Sequence, residues 1–199
     1  MKNTTTTSMT TKNIASIGMM TAVLCLLGPI SLPIGPVPIS LGTFGIYLVC
    51  YILGWKKGVL CTITYLLLGM VGVPVFSNFG SGLAKLVGPT GGYLIGYIPM
   101  SLIIGIFADK FRNNKPMQLV GMVLGTIVVY AIGTTWLSVS AKLTFAKALA
   151  AGVTPFIVGD AIKMVMAMVL GMPIKAKVGL FNQQPNRALE EDSSEEENN

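Results

Sequence analysis

Over the first 189 residues of this 199-residue chain only two side chains are acidic, Asp109 and Asp160, while all 14 Lys and Arg residues fall there. A soluble domain interleaves both signs of charge over its surface, and this chain cannot build such a surface. The other six acids, Glu190, Glu191, Asp192, Glu195, Glu196 and Glu197, crowd into the last ten positions. Long apolar blocks take the place of the missing polarity. Charged residues make up 11% of the sequence, against roughly a quarter in an ordinary soluble domain, and mean hydropathy is +0.70. The composition points into the lipid bilayer, and the expected fold is an all-α integral membrane protein.

Histidine is absent. That removes Ser–His and Cys–His nucleophile pairs, HExxH zinc sites and the usual near-neutral proton shuttle. Neither a GxxxxGK[ST] loop nor a GxGxxG after a strand occurs, so ATP hydrolysis by a P-loop is excluded. No catalytic residue, metal, cofactor or nucleic-acid partner is expected, and the chain is not read as an enzyme. Cys25, Cys50 and Cys61 lie in apolar stretches without CxxC spacing; they read as small core residues. The methionines at 164, 166, 168 and 172 read as core packing.

A helix needs about 20 largely apolar residues to cross the hydrocarbon layer. Six blocks meet or approach that requirement, at 14–33, 41–55, 58–74, 90–108, 117–138 and 155–173. The second and third are short and glycine-bounded, so one of them is open to a tilted, re-entrant or partly external placement. The expected architecture is a compact bundle of six transmembrane helices with long outer loops between spans one and two and between spans three and four. Residues 1–13 form a polar N-terminus, 14–175 the membrane domain, and 176–199 an acidic tail expected to be disordered. The first apolar run lacks an Ala-x-Ala cleavage pattern, so an uncleaved span is expected rather than a signal peptide.

Short cytoplasmic loops carry the Lys/Arg excess. Lys2, Lys12, Lys56, Lys57, Lys110, Arg112, Lys115, Lys175, Lys177 and Arg187 fall at one set of span ends, and only Lys85, Lys142 and Lys147 at the other. Both termini are therefore expected on the cytoplasmic side of the cell membrane. Small-xxx-small pairs at Gly18/Ala22, Gly92/Gly96 and Gly121/Gly125 would let helices approach closely in lipid.

An ionisable side chain inside a span costs at least a few kcal/mol and marks a functional site by default. Only the sixth span holds such residues, Asp160 and Lys163, which share one helix face at i, i+3. Asp160 lies five residues, about 8 Å, below Pro155, near the outer boundary. The pair is open to two readings. It either locks helix packing or serves as a ligand site, the carboxylate accepting N–H donors and the ammonium donating to a carbonyl. A cyclic urea has that complementary edge. Ser77, Asn78 and Lys85 in the third loop and Tyr93 at the head of span four are the other polar groups on that side. Trp136 reads either as a pocket wall or as an interfacial belt residue. The segment 28–43, with Pro29, Pro33, Pro36 and Pro38, forbids a continuous helix and reads as a stiff, apolar external loop.

Four segments together resemble one family. They are Gly35-Pro-Val-Pro-Ile-Ser-Leu-Gly-Thr43, Tyr65-Leu-Leu-Leu-Gly-Met-Val-Gly-Val-Pro-Val-Phe76, Gly88-Pro-Thr-Gly-Gly-Tyr-Leu-Ile-Gly-Tyr97 and Gly159-Asp-Ala-Ile-Lys163. Over about residues 14–175 the chain resembles the BioY family, the biotin-specific substrate-binding components of energy-coupling-factor vitamin transporters. The resemblance implies a six-helix membrane protein that captures biotin from outside and works with a transmembrane coupling subunit and two cytoplasmic ATPases. It implies that Asp160 and Lys163 hold the ureido end of biotin, and that Asn78 and Tyr93 bound the binding cavity. It also implies that Gly18 and Ala22 face the coupling subunit. The segment Ser77–Lys85 departs from the family's more glycine-rich stretch, and the acidic tail falls outside the family pattern. Two alternatives stay open from the residues themselves: a binding component for another vitamin such as thiamin or riboflavin, and a small autonomous channel or facilitator.

Overall fold

The computed structural model describes residues 11–33 and 37–175. The expected acidic tail, the first ten residues, and with them Lys2, Lys177 and Arg187, lie outside the described residues. The elements in chain order are α1 (Thr11–Leu27), β1 (Ser31–Leu32), β2 (Ile39–Ser40), α2 (Gly42–Val71), α3 (Leu83–Val87), α4 (Gly91–Lys110), α5 (Lys115–Ser140), α6 (Phe145–Gly152) and α7 (Phe156–Lys175). A single 3-10 turn, Ser77–Phe79, precedes α3. Four helices, α2, α4, α5 and α7, are long and apolar enough to cross a membrane.

The first span was expected to reach residue 33, and it stops at Leu27. Proline lacks the N–H a helix interior needs and its ring blocks the preceding turn, so Pro29 ends the run. The chain turns instead into a two-residue antiparallel ladder that pairs Ser31 with Ser40 and Leu32 with Ile39. Two short helices were not anticipated: α3, inside the loop between the third and fourth expected spans, and α6, between α5 and α7.

The second and third expected spans are joined without a loop, as one 30-residue helical run broken at Gly54 (φ 76°, ψ −171°). Only glycine adopts this conformation without strain, and a Cβ at Gly54 would collide with the Asp109 carboxylate. That carboxylate accepts the Trp55 N–H at 3.0 Å and caps the helical arm that restarts there. A Cβ at Gly58 would lie 3.1 Å from Cys50 Cα, whereas residues eight apart in a straight helix are about 12 Å apart. The chain therefore doubles back at Gly54, two residues before the expected junction at Lys56 and Lys57.

Two of the three small-residue pairs join α4 to α5. Gly92 abuts Trp136, Gly96 abuts Val129, Gly125 abuts Ile104 and Gly121 abuts Phe107. Each step forward along α4 matches a step backward along α5, so the helices are antiparallel and in close contact. The third pair behaves differently: Gly18 and Ala22 are exposed, and a Cβ at Gly18 would meet nothing within 4 Å. The core runs through α1, α2, α4 and α5, with Tyr47, Tyr65, Phe76 and Met100 among its fully buried side chains. All three cysteines are free; Cys50 and Cys61 are buried in that core and Cys25 is half-buried.

Candidate functional site

Pro155 immediately precedes α7, and one turn further the helix presents Asp160 and Lys163 toward the bundle. Both are buried, at 2% and 8% exposure. Lys163 Nζ donates to Asp160 Oδ1 at 2.9 Å, to the Ser40 carbonyl at 2.8 Å and to Thr43 Oγ1 at 3.1 Å. An ammonium has three N–H donors and no acceptor, so all of them are engaged within the protein. Asp160 Oδ1 also accepts from Thr43 Oγ1 at 3.1 Å, and Oδ2 accepts from the Tyr130 hydroxyl at 2.7 Å.

Local chain geometry brings these partners to α7. The ladder ends at Ser40, whose Oγ accepts the Gly42 N–H at 3.1 Å, and α2 begins two residues later. The Ser40 carbonyl and the Thr43 hydroxyl thus leave the same turn and meet Lys163. Tyr130 comes from the middle of α5. Ser40, Thr43 and Tyr130 were not singled out from the sequence. The available signal was a hydroxyl in an apolar context, and the chain has many of those.

These five residues line one pocket, with a cavity volume of about 50 Å³. Val37, Leu94, Val129 and Phe156 contribute apolar wall, and Ser77, Thr90 and Tyr93 further polar groups. Tyr93 was singled out from the sequence and lines the pocket. Its ring rests against Gly133, where a Cβ would collide with it, and its hydroxyl bonds the Gly152 carbonyl at 3.3 Å.

Of the other sequence-selected polar residues Ser77 also lines the pocket, whereas Asn78, Lys85 and Trp136 stand outside the lining. The backbone of Asn78 is left-handed (φ 58°, ψ 39°). Its Oδ1 accepts from Ser31 Oγ at 2.8 Å while its N–H donates to the same oxygen at 2.8 Å. Asn78 thus ties the third loop to the hairpin, and its neighbour Ser77 reaches the pocket. Lys85 is half-buried on α3, its stem 3.1 Å from where a Gly80 Cβ would lie. Trp136 donates Nε1–H to the Gly88 carbonyl at 2.9 Å and pins the turn that leads into α4.

The sequence model of the BioY family matches residues 1–179. The biotin transporter BioY of Thermotoga maritima is 39% identical over 164 residues, covering 82% of this chain and 96% of the relative. The probable biotin transporter BioY of Pyrococcus horikoshii is 36% identical and covers 81% of this chain and 95% of the relative. The crystal structure of an S-component for biotin from an ECF-type ABC transporter superposes with a TM-score of 0.77 at 30% identity, covering 88% of this chain and 95% of that one. The carboxylate–ammonium floor thus sits in a multi-pass helical membrane protein whose sequence matches one transporter family over most of its length, and the chain belongs to the BioY family.

Proposed function

We propose that this chain captures biotin at the outer face of the cell membrane and acts as the substrate-binding component of an energy-coupling-factor transporter. A transmembrane coupling subunit and two cytoplasmic ATPases supply the work. The observation that carries the proposal is the buried Asp160–Lys163 pair at the pocket floor. A cyclic urea sets an N–H beside a carbonyl, and a carboxylate 2.9 Å from an ammonium complements that edge, the N–H going to Asp160 and the carbonyl to Lys163. Buried charge pairs seldom stabilise a fold over well-packed apolar residues, so ligand recognition gives the pair its reason to be kept. The names of the relatives support biotin as the ligand.

On this reading six segments cross the membrane: α1, the two arms of α2 on either side of Gly54, α4, α5 and α7. Both termini lie in the cytoplasm. Asn78, Lys85 and Trp136 act on the mouth of the pocket, through the third loop and the turn before α4, rather than on its floor. The exposed Gly18 and Ala22 form the small-residue face that meets the coupling subunit, where packing rather than the hydrophobic effect holds helices together in lipid. No cofactor is required.

Calorimetry on the detergent-purified protein with biotin, thiamin and riboflavin tests the ligand. Biotin alone should bind tightly, and tight thiamin or riboflavin binding without a biotin response overturns the choice. Reconstituted alone in liposomes, the protein should bind labelled biotin and accumulate none in the lumen, with or without an ion gradient. Gradient-driven uptake by the lone protein would favour an autonomous transporter.

A further inference from the structure

We propose that Tyr130 is a specificity-determining residue whose phenolic oxygen receives an N–H of the ligand's polar ring beside Asp160, a role that rests on the biotin reading above. An ionised carboxylate carries no proton, so in the 2.7 Å contact between Tyr130 Oη and Asp160 Oδ2 the tyrosine donates. A phenol has one proton. Spending it on Asp160 leaves Oη with lone pairs only, and Tyr130 faces the pocket as an acceptor.

Counting the rest of the floor leads to the same polarity. All three N–H bonds of Lys163 are engaged. The Thr43 proton goes to Asp160 Oδ1, which already accepts from Lys163. A carboxylate offers about four acceptor positions, two on each oxygen, so Oδ1 is filled and Oδ2 keeps one place open. The open positions of this network are therefore acceptors: one on Asp160 Oδ2 and those on Tyr130 Oη beside it, with one remaining lone pair each on Thr43 Oγ1 and the Ser40 carbonyl. Within this network a ligand carbonyl finds a donor only when Lys163 releases one of its present partners, whereas a ligand N–H finds an acceptor at once. The network discriminates first on N–H groups, and Tyr130 supplies the acceptor next to the open place on Asp160 Oδ2.

A tyrosine that only steadied Asp160 would differ, and Thr43, which braces the other carboxylate oxygen, is the comparator. The test titrates wild-type, Tyr130→Phe and Thr43→Val proteins, each checked as monodisperse, with biotin and its two mono-N-methylated ureido derivatives. Wild-type protein should bind at least one derivative about 100-fold more weakly than biotin, as a site built to bond an N–H rejects a ligand lacking it. Tyr130→Phe should weaken biotin about tenfold or more while the discrimination against that derivative falls to within about twofold, the margin at which effects count as independent. Thr43→Val should weaken all three ligands by one factor and keep the discrimination.

Equal weakening of all three ligands in Tyr130→Phe, or unchanged biotin affinity there, overturns the proposal and leaves the biotin reading standing. Wild-type protein that binds both derivatives as tightly as biotin overturns it without any variant. Wild-type protein that binds no biotin overturns both.

Discussion

Replacing Asp160 by Asn keeps the size of the side chain and changes what three donors meet. Lys163, Thr43 and Tyr130 all donate to this carboxylate. An amide offers one acceptor oxygen and an NH₂ that only donates. If the oxygen keeps Lys163 and Thr43, the NH₂ faces the Tyr130 hydroxyl donor to donor, and the phenol must turn its proton away. The larger effect is the lost charge. Lys163 is 8% exposed, and the other acid among the described residues, Asp109, lies 16 residues along α4 from Tyr93, about 24 Å by helix rise. Breaking a buried pair from one side costs about 3–5 kcal/mol of stability, and truncating one partner of a buried, hydrogen-bonded charge pair costs binding about 2–5 kcal/mol. The second range corresponds to biotin affinity weakened about 30-fold to about 5,000-fold.

Titration calorimetry reads the affinity, and thermal unfolding of the same detergent-purified sample reads the stability. Lys163→Met should also weaken binding. The double variant Asp160→Asn/Lys163→Met separates the two readings of the pair, because it removes both charges and leaves no unpaired ion. Its unfolding temperature should recover above that of either single variant, and its biotin binding should stay lost. A double variant that regains stability and binds biotin as the wild type does would refute the ligand role and leave the pair a packing device.

Gly18→Leu and Ala22→Leu should leave biotin affinity intact, since neither residue lines the pocket; co-purification with the coupling subunit should be lost, and normal assembly of both variants would move the interface elsewhere. Asp109→Ala removes the acceptor of the Trp55 N–H and should lower stability by about 0.5–2 kcal/mol, as for a lost helix cap. Thermal unfolding measures that change, and an unaltered midpoint would mean that the restarted arm of α2 needs no cap.

Membrane class, apolar blocks and the identity of the charged pair were all readable from the chain, because each depends on local composition or on spacing within one helix. Asp160 and Lys163 stand out as the ionisable residues of a single span, and the i, i+3 rule alone puts them on one face. The expected spans at 90–108, 117–138 and 155–173 match α4, α5 and α7 to within two residues at each end, since hydrocarbon thickness sets their length. The exception is the end of α1, where Pro29 stopped a helix that hydropathy alone would have carried to residue 33. What the pair meets was decided elsewhere in the chain. Ser40 and Thr43 are more than 110 residues from Lys163, and Tyr130 is on a separate helix, so no window of sequence contains the network. Asn78, Lys85 and Trp136 look like site residues by type and position, yet hydrogen bonds to Ser31 and Gly88 hold Asn78 and Trp136 outside the lining. Glycine spacing did not tell the buried pairs at 92/96 and 121/125 from the exposed pair at 18/22, because the pattern is the same and only the presence of a neighbouring helix separates them. Gly54 shows the same division: glycine permits the positive φ, but the chain doubles back there because Asp109, on a helix formed later in the sequence, fills the space a side chain would need and caps the arm that follows.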